Sequence, residues 1–316
     1  MATPLDSGRV GFLGLGLMGV AHAARLQSQG VPLVVYNRTG EKTRAFVAKG
    51  ARAAQHPSEL GTLATSGVVF VCVSDARAVE RVTFDRHGLA RGMAEGSVLV
   101  NLSTIAPAEA REIAERLTKQ GIRYVDAPVG GSVLAAREGQ VILFAGGNTG
   151  DVERVRPYAE RMSRSIEYMG PVGAGSAMKL VNNLLTVGNV ALLAEALVFG
   201  EGLGIERPRL LEVLSQGGAR SAMMDSKKEG LVKRQYAPQF RLALARKDLR
   251  LIEDAAASVD QKLALTREVR RLADEALELG RGDEDFSTLY EAARARFEGR
   301  PQQPDDVSPT PADAAH

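Results

Sequence analysis

Short strand-forming runs alternate with amphipathic helical stretches along the first half of the chain. The strand candidates are "RVGFLGLG", "VPLVVYN", "GVVFVCVS", "SVLVNLS", "IRYVDAPV", "VILFAGG" and "RSIEYMG". Between them, stretches such as "EKTRAFVAKG" and "APAEAREIAERLTKQG" carry apolar residues at helical spacing. Strands and helices alternating in this way predict βαβ units, hence a mostly parallel sheet covered on both faces. An α/β Rossmann domain is therefore expected over residues 1–171. Beyond "GPVGAGS" nothing strand-like recurs, and Ala, Leu, Glu, Lys and Arg at helical spacing predict an all-helical domain over residues 172–299. Its first helix is expected from Gly175 to Gly202, about 40 Å long at the usual helical rise. Apolar around most of its circumference, this helix must be covered on several sides. That makes it a spine joining the domains and predicts a homo-oligomer, a dimer or tetramer. Residues 300–316, "RPQQPDDVSPTPADAAH", are rich in Pro, Asp and small residues and are expected to be a disordered tail.

Composition narrows the partners. The chain has 316 residues, 45% hydrophobic and 25% charged, which is enough for two cores. Its 40 Lys+Arg against 38 Asp+Glu leave a net charge of +2, so no broad basic field invites nucleic acid or an anionic membrane. The single cysteine, Cys72, excludes an intramolecular disulfide and a thiolate metal cluster, and fits a reducing, cytoplasmic setting. Arg9, the apolar run after it and "AHAA" mimic a secretory leader, but glycines in fixed register argue against one. The longest apolar segment carries Lys179, Asn182, Asn183, Asn189 and Glu195, all costly in hydrocarbon, so it reads as a helix buried in protein.

The first strand runs straight into Gly14-Leu15-Gly16-Leu17-Met18-Gly19, and a helical pattern follows. Alone, G-x-G-x-x-G is a weak signal. Here a strand precedes it, a helix follows it, and a second strand ends roughly twenty residues on, the context of a dinucleotide turn. Gly14 permits the tight turn, Gly16 lets the backbone approach a pyrophosphate, and Gly19 lets helix and strand pack closely. At the end of that second strand an acidic residue ordinarily takes both ribose hydroxyls, but this chain has Asn37. An amide does not repel a 2′-phosphate, and Arg38 and Thr39 offer a guanidinium fork and a hydroxyl. NADP(H) is the expected cofactor; the alternative is that Arg38 is only a solvated loop charge.

"GFLGLGLMG", "NLSTIAP", "DAPVGGS", "GAGSAMKLVNN", "ARKDLRL" and "GDEDFSTL" follow one another in this order. On these motifs the chain, from residue 9 to about 295, resembles the β-hydroxyacid dehydrogenase family. That family includes 3-hydroxyisobutyrate dehydrogenases, tartronate semialdehyde reductases and glyoxylate/succinic semialdehyde reductases. The resemblance implies a Rossmann domain followed by a helical one, and an NADP-dependent enzyme interconverting a small 3-hydroxy acid and its semialdehyde or carbonyl acid. It implies that Lys179 exchanges a proton with the reacting oxygen while Asn183 orients that oxygen. Four residues apart, the two share a helix face. Burial near a cationic nicotinamide would lower the lysine's pKa, and a snorkelling interface lysine is the alternative.

By the same resemblance, Ser103 faces the substrate carboxylate and Thr104 the nicotinamide, although either hydroxyl would equally serve as a helix cap. Gly130 and Gly131 offer backbone to a carboxylate, but the family usually reads Ser-Gly-Gly where this chain has Gly130-Gly131-Ser132. Val73 and Ser74 stand where the family has Leu-Pro, lining the cofactor by backbone contacts, and Asn101 replaces a frequent acid. Lys247 is expected to reach the cofactor or close over the substrate, the alternative being an exposed Lys-Asp pair. His22, His56, His87 and His316 show no ligand spacing, so no metal site is expected. Asp283, Glu284 and Asp285 read as charges at a helix N-terminus. The rivals are an imine reductase-like NADPH enzyme, a family that usually lacks the lysine, and a catalytically idle NADP-binding scaffold.

Overall fold

The computed structural model describes residues 8–299, so the expected tail at 300–316 lies outside the described residues. Strand β1 (Val10–Leu13) is wholly buried and leads through the glycine turn into α1 (Leu17–Ser28) and β2 (Leu33–Tyr36). There follow α2 (Arg44–Val47), β3 (Arg52–Ala53), α3 (Pro57–Leu63), β4 (Val68–Val71), α4 (Ala76–Phe84), β5 (Val98–Asn101), α5 (Pro107–Thr118) and β6 (Arg123–Asp126). The sheet is completed by β7 (Val129–Gly130), α6 (Val133–Glu138), β8 (Ile142–Gly146), α7 (Thr149–Met162) and β9 (Ser165–Gly170).

These nine strands form one sheet in the order β3-β2-β1-β4-β5-β6-β8-β7, with β9 on β8. The strands from β3 to β6 run parallel, and β8 runs antiparallel to β6 and β7. Each of the seven predicted runs contains a strand; the two-residue β3 lies outside them, and β7 begins at the last residue of the run that holds β6, both too short to show a period of their own. Pro128, which has no N–H to give a ladder, separates β6 from β7, and its carbonyl accepts the Phe144 N–H instead. Alternate side chains serve two cores, as a sheet covered on both faces requires. Phe12, Val35, Phe70 and Val100 pack with α1 and α7, whereas Leu13, Val34, Val69 and Leu99 pack with α3 and α5.

The helical part comprises α8 (Ala174–Gly202), α9 (Arg207–Leu214), α10 (Ala222–Lys233), α11 (Leu242–Ala257), α12 (Ala264–Glu278) and α13 (Leu289–Glu298). Among the described residues it contains no strand, only a bridge between Arg241 and Asp285. The first turns of α8 lie against the sheet, and its later turns bury Val187, Val190, Ala194 and Leu197 in a core shared with α11, α12 and α13. By length and composition alone α8 is long and apolar enough to cross a membrane, but half of its most apolar window is buried inside the protein. Its outer side exposes Val181, Leu185, Leu192 and Phe199, each more than half accessible.

Asp285 does more than favour a helix N-terminus. It is buried, its Oδ2 lies 2.9 Å from Lys227 Nζ, and the same oxygen accepts the N–H groups of Gln239 and Phe240. Its Oδ1 caps the single helical turn Phe286–Thr288 that precedes α13. This pair ties α10 to the loop before α13, an arrangement that a run of acids in sequence does not reveal.

His22, on α1, is fully buried with neither ring nitrogen bonded, and burial lowers its pKa from 6.5 to about 4. The folded state therefore favours neutral imidazole, and this contribution to stability is present above pH 6.5 and lost as pH falls toward 4. Replacing His22 by Leu removes that dependence. Between pH 7.5 and 4.5 the stability of the parent chain, followed by denaturant unfolding, should fall relative to His22→Leu by about 2 to 3 kcal/mol. Parallel pH profiles for the two proteins would overturn the assignment.

Candidate active site

The glycine turn is shaped by contacts that exclude side chains. Gly14 has φ +97°, and a Cβ there would lie 2.2 Å from the Cys72 carbonyl oxygen. A Cβ on Gly19 would lie 1.9 Å from the Gly14 oxygen, so α1 can sit on the turn only with glycine at both places. Gly16 faces open space, and no side chain caps the N-terminus that it begins. The first-turn N–H groups of α1 and its dipole thus suit an anion, and the turn fits a dinucleotide pyrophosphate. Leu17 is exposed and Met18 half-buried at the same mouth.

Asn37 is a brace in this structure. Its Oδ1 accepts the Leu15 N–H at 2.9 Å, and its Nδ2 donates to the Thr39 carbonyl at 3.0 Å, lacing the glycine turn to the end of β2. Arg38 and Thr39 beside it are exposed. A carboxylate here would keep the first bond and lose the second, because it has no proton to donate.

The ends of β4 and β5 are laced in the same manner. Ser103 Oγ accepts the Val73 N–H at 3.0 Å, Asn101 Oδ1 accepts the Ser103 N–H at 3.0 Å, and Asn101 Nδ2 donates to the Tyr124 hydroxyl at 3.0 Å. Neither Ser103 nor Thr104 caps α5; its N-cap is Ala106, whose N–H donates to Glu109 Oε2 at 2.7 Å. Ser74 Oγ donates to Asp75, which caps α4. Cys72 is half-buried, and burial pushes its thiol up to about 12, an inert setting.

The opposite wall comes from α8 and α11. Asp126, at the end of β6, accepts the N–H groups of Gly173 at 2.8 Å and Ser176 at 2.7 Å, and so caps α8 from the sheet. A Cβ on Gly175 would lie 2.0 Å from the Phe144 oxygen, so glycine lets the helix rest directly on β8. One turn further along α8, Lys179 Nζ donates to the Val129 carbonyl at 2.6 Å. Asn183 is buried, and its Nδ2 donates to Asp248 Oδ2 at 2.6 Å. Asp248 Oδ1 is 2.9 Å from Lys247 Nζ, which donates to the Thr104 carbonyl at 2.6 Å.

Lys179, Asn183, Ser103, Thr104, Gly130 and Lys247, separate in sequence, are thereby tied into one region between sheet and helices. Burial lowers the Lys179 pKa to about 8; the Lys247 charge adds to the shift, and Asp248 opposes it. An ammonium poised there exchanges protons near neutral pH.

Gly131 adopts φ +145°, with Val141 packed where a Cβ would sit. Ser132 Oγ accepts the Ala135 N–H and caps α6, so the hydroxyl found at the third place of Gly-Gly-Ser does not replace the one missing from the first. Sequence reasoning also missed Asp126 and Asp248. An available signal for Asp126 was the absence of any capping side chain at the start of a long helix; Asp248 was visible only as the neighbour of Lys247. The rings of His56 and His87, distant in sequence, lie tilted to each other with centroids 5.1 Å apart, but His56 is occupied in capping α3.

Residues 9–170 match a family model described as the NAD binding domain of 6-phosphogluconate dehydrogenase. Residues 173–293 match one described as the NAD-binding region of NADP-dependent 3-hydroxyisobutyrate dehydrogenase. The chain is 33% identical over 286 residues to glyoxylate/succinic semialdehyde reductase 2, chloroplastic, of Arabidopsis thaliana, covering 90% of this chain and 79% of that protein. It is 31% identical over 290 residues to cytokine-like nuclear factor N-PAC of Gallus gallus, covering 92% of this chain and 52% of that protein. The chain thus spans about half the length of N-PAC relatives. Among solved structures, 3-hydroxyisobutyrate dehydrogenase from Salmonella typhimurium superposes with a TM-score of 0.84 at 28% identity, covering 90% of this chain and 99% of that one.

Proposed function

The chain belongs to the β-hydroxyacid dehydrogenase family, and on that premise we propose that it is an NADP(H)-dependent oxidoreductase interconverting a small 3-hydroxy acid and its semialdehyde or carbonyl acid. The observation that carries this reading is Lys179, bonded to the Val129 carbonyl one helical turn before the Asn183 that pairs with Asp248, with its pKa lowered to about 8. When bound, the nicotinamide supplies or takes the hydride. Lys179 Nζ gives a proton to the carbonyl oxygen during reduction and takes the hydroxyl proton during oxidation. Asn183 spends one amide N–H on Asp248 and directs the other at the same oxygen. Ser103 Oγ, already accepting from Val73, donates its own proton to the substrate carboxylate, which also approaches the backbone at Gly131. Lys247, anchored on the Thr104 carbonyl, would reach the cofactor or close over the substrate.

On the cofactor side, the turn from Gly14 to Gly19 receives the pyrophosphate, and the backbone at Val73 and Ser74 lines the nicotinamide half. Asn37 holds the turn in shape, and the exposed Arg38 and Thr39 take the 2′-phosphate. The lysine favours C=O over C=N reduction.

We also place a second copy of this chain on the exposed seam of α8. Val181, Leu185, Leu192 and Phe199 recur at coiled-coil spacing, and Gly188 between them has open space where a Cβ would sit, so two backbones can approach closely there. A two-fold axis presents the same seam in reverse to its partner. A bilayer is the poorer occupant, because the other side of α8 is already buried in protein.

Lys179→Ala should lower kcat by about a hundredfold or more while NADPH affinity, measured by fluorescence titration, stays nearly constant. In the parent enzyme kcat for reduction should decline as pH rises through about 8, and undiminished turnover in the variant would defeat the lysine's role. Asn37→Asp combined with Arg38→Ala should move the kcat/KM ratio of NADPH to NADH by about tenfold or more toward NADH; an unmoved ratio counts against the phosphate site. Light scattering should find the parent chain at a multiple of 33.7 kDa, and Leu185→Glu with Leu192→Glu at the monomer mass. A monomeric parent excludes the seam as a self-interface.

A further inference from the structure

The ring of Phe144 lies where a side chain at position 130 would go. A Cβ built on Gly130 would be 2.7 Å from Phe144 Cζ and 2.9 Å from Cε2, closer than real atoms approach. The backbone at Gly130 is not in the left-handed region that favours glycine, unlike that at Gly131. The ring, then, and not the turn, demands glycine at 130.

The location of this pair gives it chemical meaning. Gly130 follows the residue whose carbonyl receives Lys179 Nζ, so position 130 borders the reacting centre. In the antiparallel pairing of β7 with β8, Gly130 stands opposite Ile142, and Phe144, two residues on, shares that face. Val129 and Leu143 point to the other side, into the core under α1 and α7. The face bearing Gly130, Ile142 and Phe144 is therefore the one turned away from that core. Phe144 also abuts α8 through its carbonyl at Gly175, one turn before Lys179. Gly130 and Ile142 are half-exposed, and the ring behind them is nearly buried. No hydroxyl reaches this wall from Ser132, whose Oγ is spent on capping α6.

We propose that Phe144 and Gly130 together determine specificity: the wall beside Lys179 is hydrocarbon and takes a substrate whose substituent next to the reacting carbon is an alkyl or aryl group, not a polar one. The inference deepens the 3-hydroxy acid reading and rests on it. The carboxylate stays with Ser103 and the Gly131 backbone, while the apolar substituent lies over Gly130 against Ile142 and the ring edge. In oxidation the C3–H hydride passes to NADP+ and the C3–OH proton to Lys179, leaving the aldehyde with its substituent unchanged. A hydroxyl placed on this wall would give up its water and find no partner.

The test compares 3-hydroxy-2-phenylpropanoate with 2,3-dihydroxypropanoate, in turnover with NADP+ and by calorimetric binding to the NADP+-saturated enzyme. The phenyl compound should win by about tenfold or more in both kcat/KM and affinity. Gly130→Ser with Phe144→Met exchanges the ring edge for a hydroxyl with room to stand, and should lower the preference by at least tenfold. A preference is a ratio taken on one preparation, so partial unfolding of the variant does not move it. A parent that favours the dihydroxy compound, or a double variant with an unchanged ratio, overturns the assignment. If neither compound is oxidised, the dehydrogenase reading fails, and the binding ratio still decides the wall.

Discussion

A helix of 29 residues that opens without a capping side chain must find partners for its first N–H groups elsewhere. Here they come from the other half of the molecule, in both oxygens of Asp126 at the end of β6. Burial raises the pKa of that carboxylate, and the two N–H bonds pull it back. Without the carboxylate each buried N–H would forfeit about 1 to 3 kcal/mol. The bond fixes the axial position of α8 on the sheet, and Gly175, against the Phe144 carbonyl, fixes its distance. Lys179 and Asn183 then follow at one and two turns, so their placement over β7 is a consequence of how α8 is pinned at its start.

Charge in the site is balanced by the same economy of partners. Two lysines converge on the cleft, and Asp248 is shared between Lys247 and Asn183. Lys247 stays anchored at the Thr104 carbonyl, whereas Lys179 has only a neutral carbonyl as its hydrogen-bond acceptor. Desolvation outweighs the opposing charge of Asp248 at Lys179, and its pKa falls. Lys247 is held between Asp248 and the Thr104 carbonyl, and Lys179 is left able to lose its proton.

How far the sequence carried depended on the range of the interactions. The strand runs, the glycine turn and the change to helices are local patterns, and a four-residue spacing by itself puts Lys179 and Asn183 on one face. What was not legible was the set of partners. Asn37 was read for its charge, but it spends both ends of its amide on backbone. Ser103 was allowed a capping role that Ala106 and Glu109 fill instead. Asp285, one acid in a run of three, proved to be the buried partner of Lys227, 58 residues away in sequence. Each depends on a neighbour that no periodicity announces.

The glycine at 130 is the sharpest instance. In the motif it reads as a lost hydroxyl and invites a search for compensation within the next two residues. The compensation is instead across a strand pair, where Phe144 fills the space from β8. A hydroxyl restored at 130 alone would meet the ring before it met a substrate, so the polarity of this wall is a property of two positions, and either one read singly misstates it. Motif comparison reads positions one at a time along the chain. The glycine turn and the Lys179–Asn183 spacing are local patterns, whereas the wall proposed for the substrate's substituent depends on such a cross-strand pair.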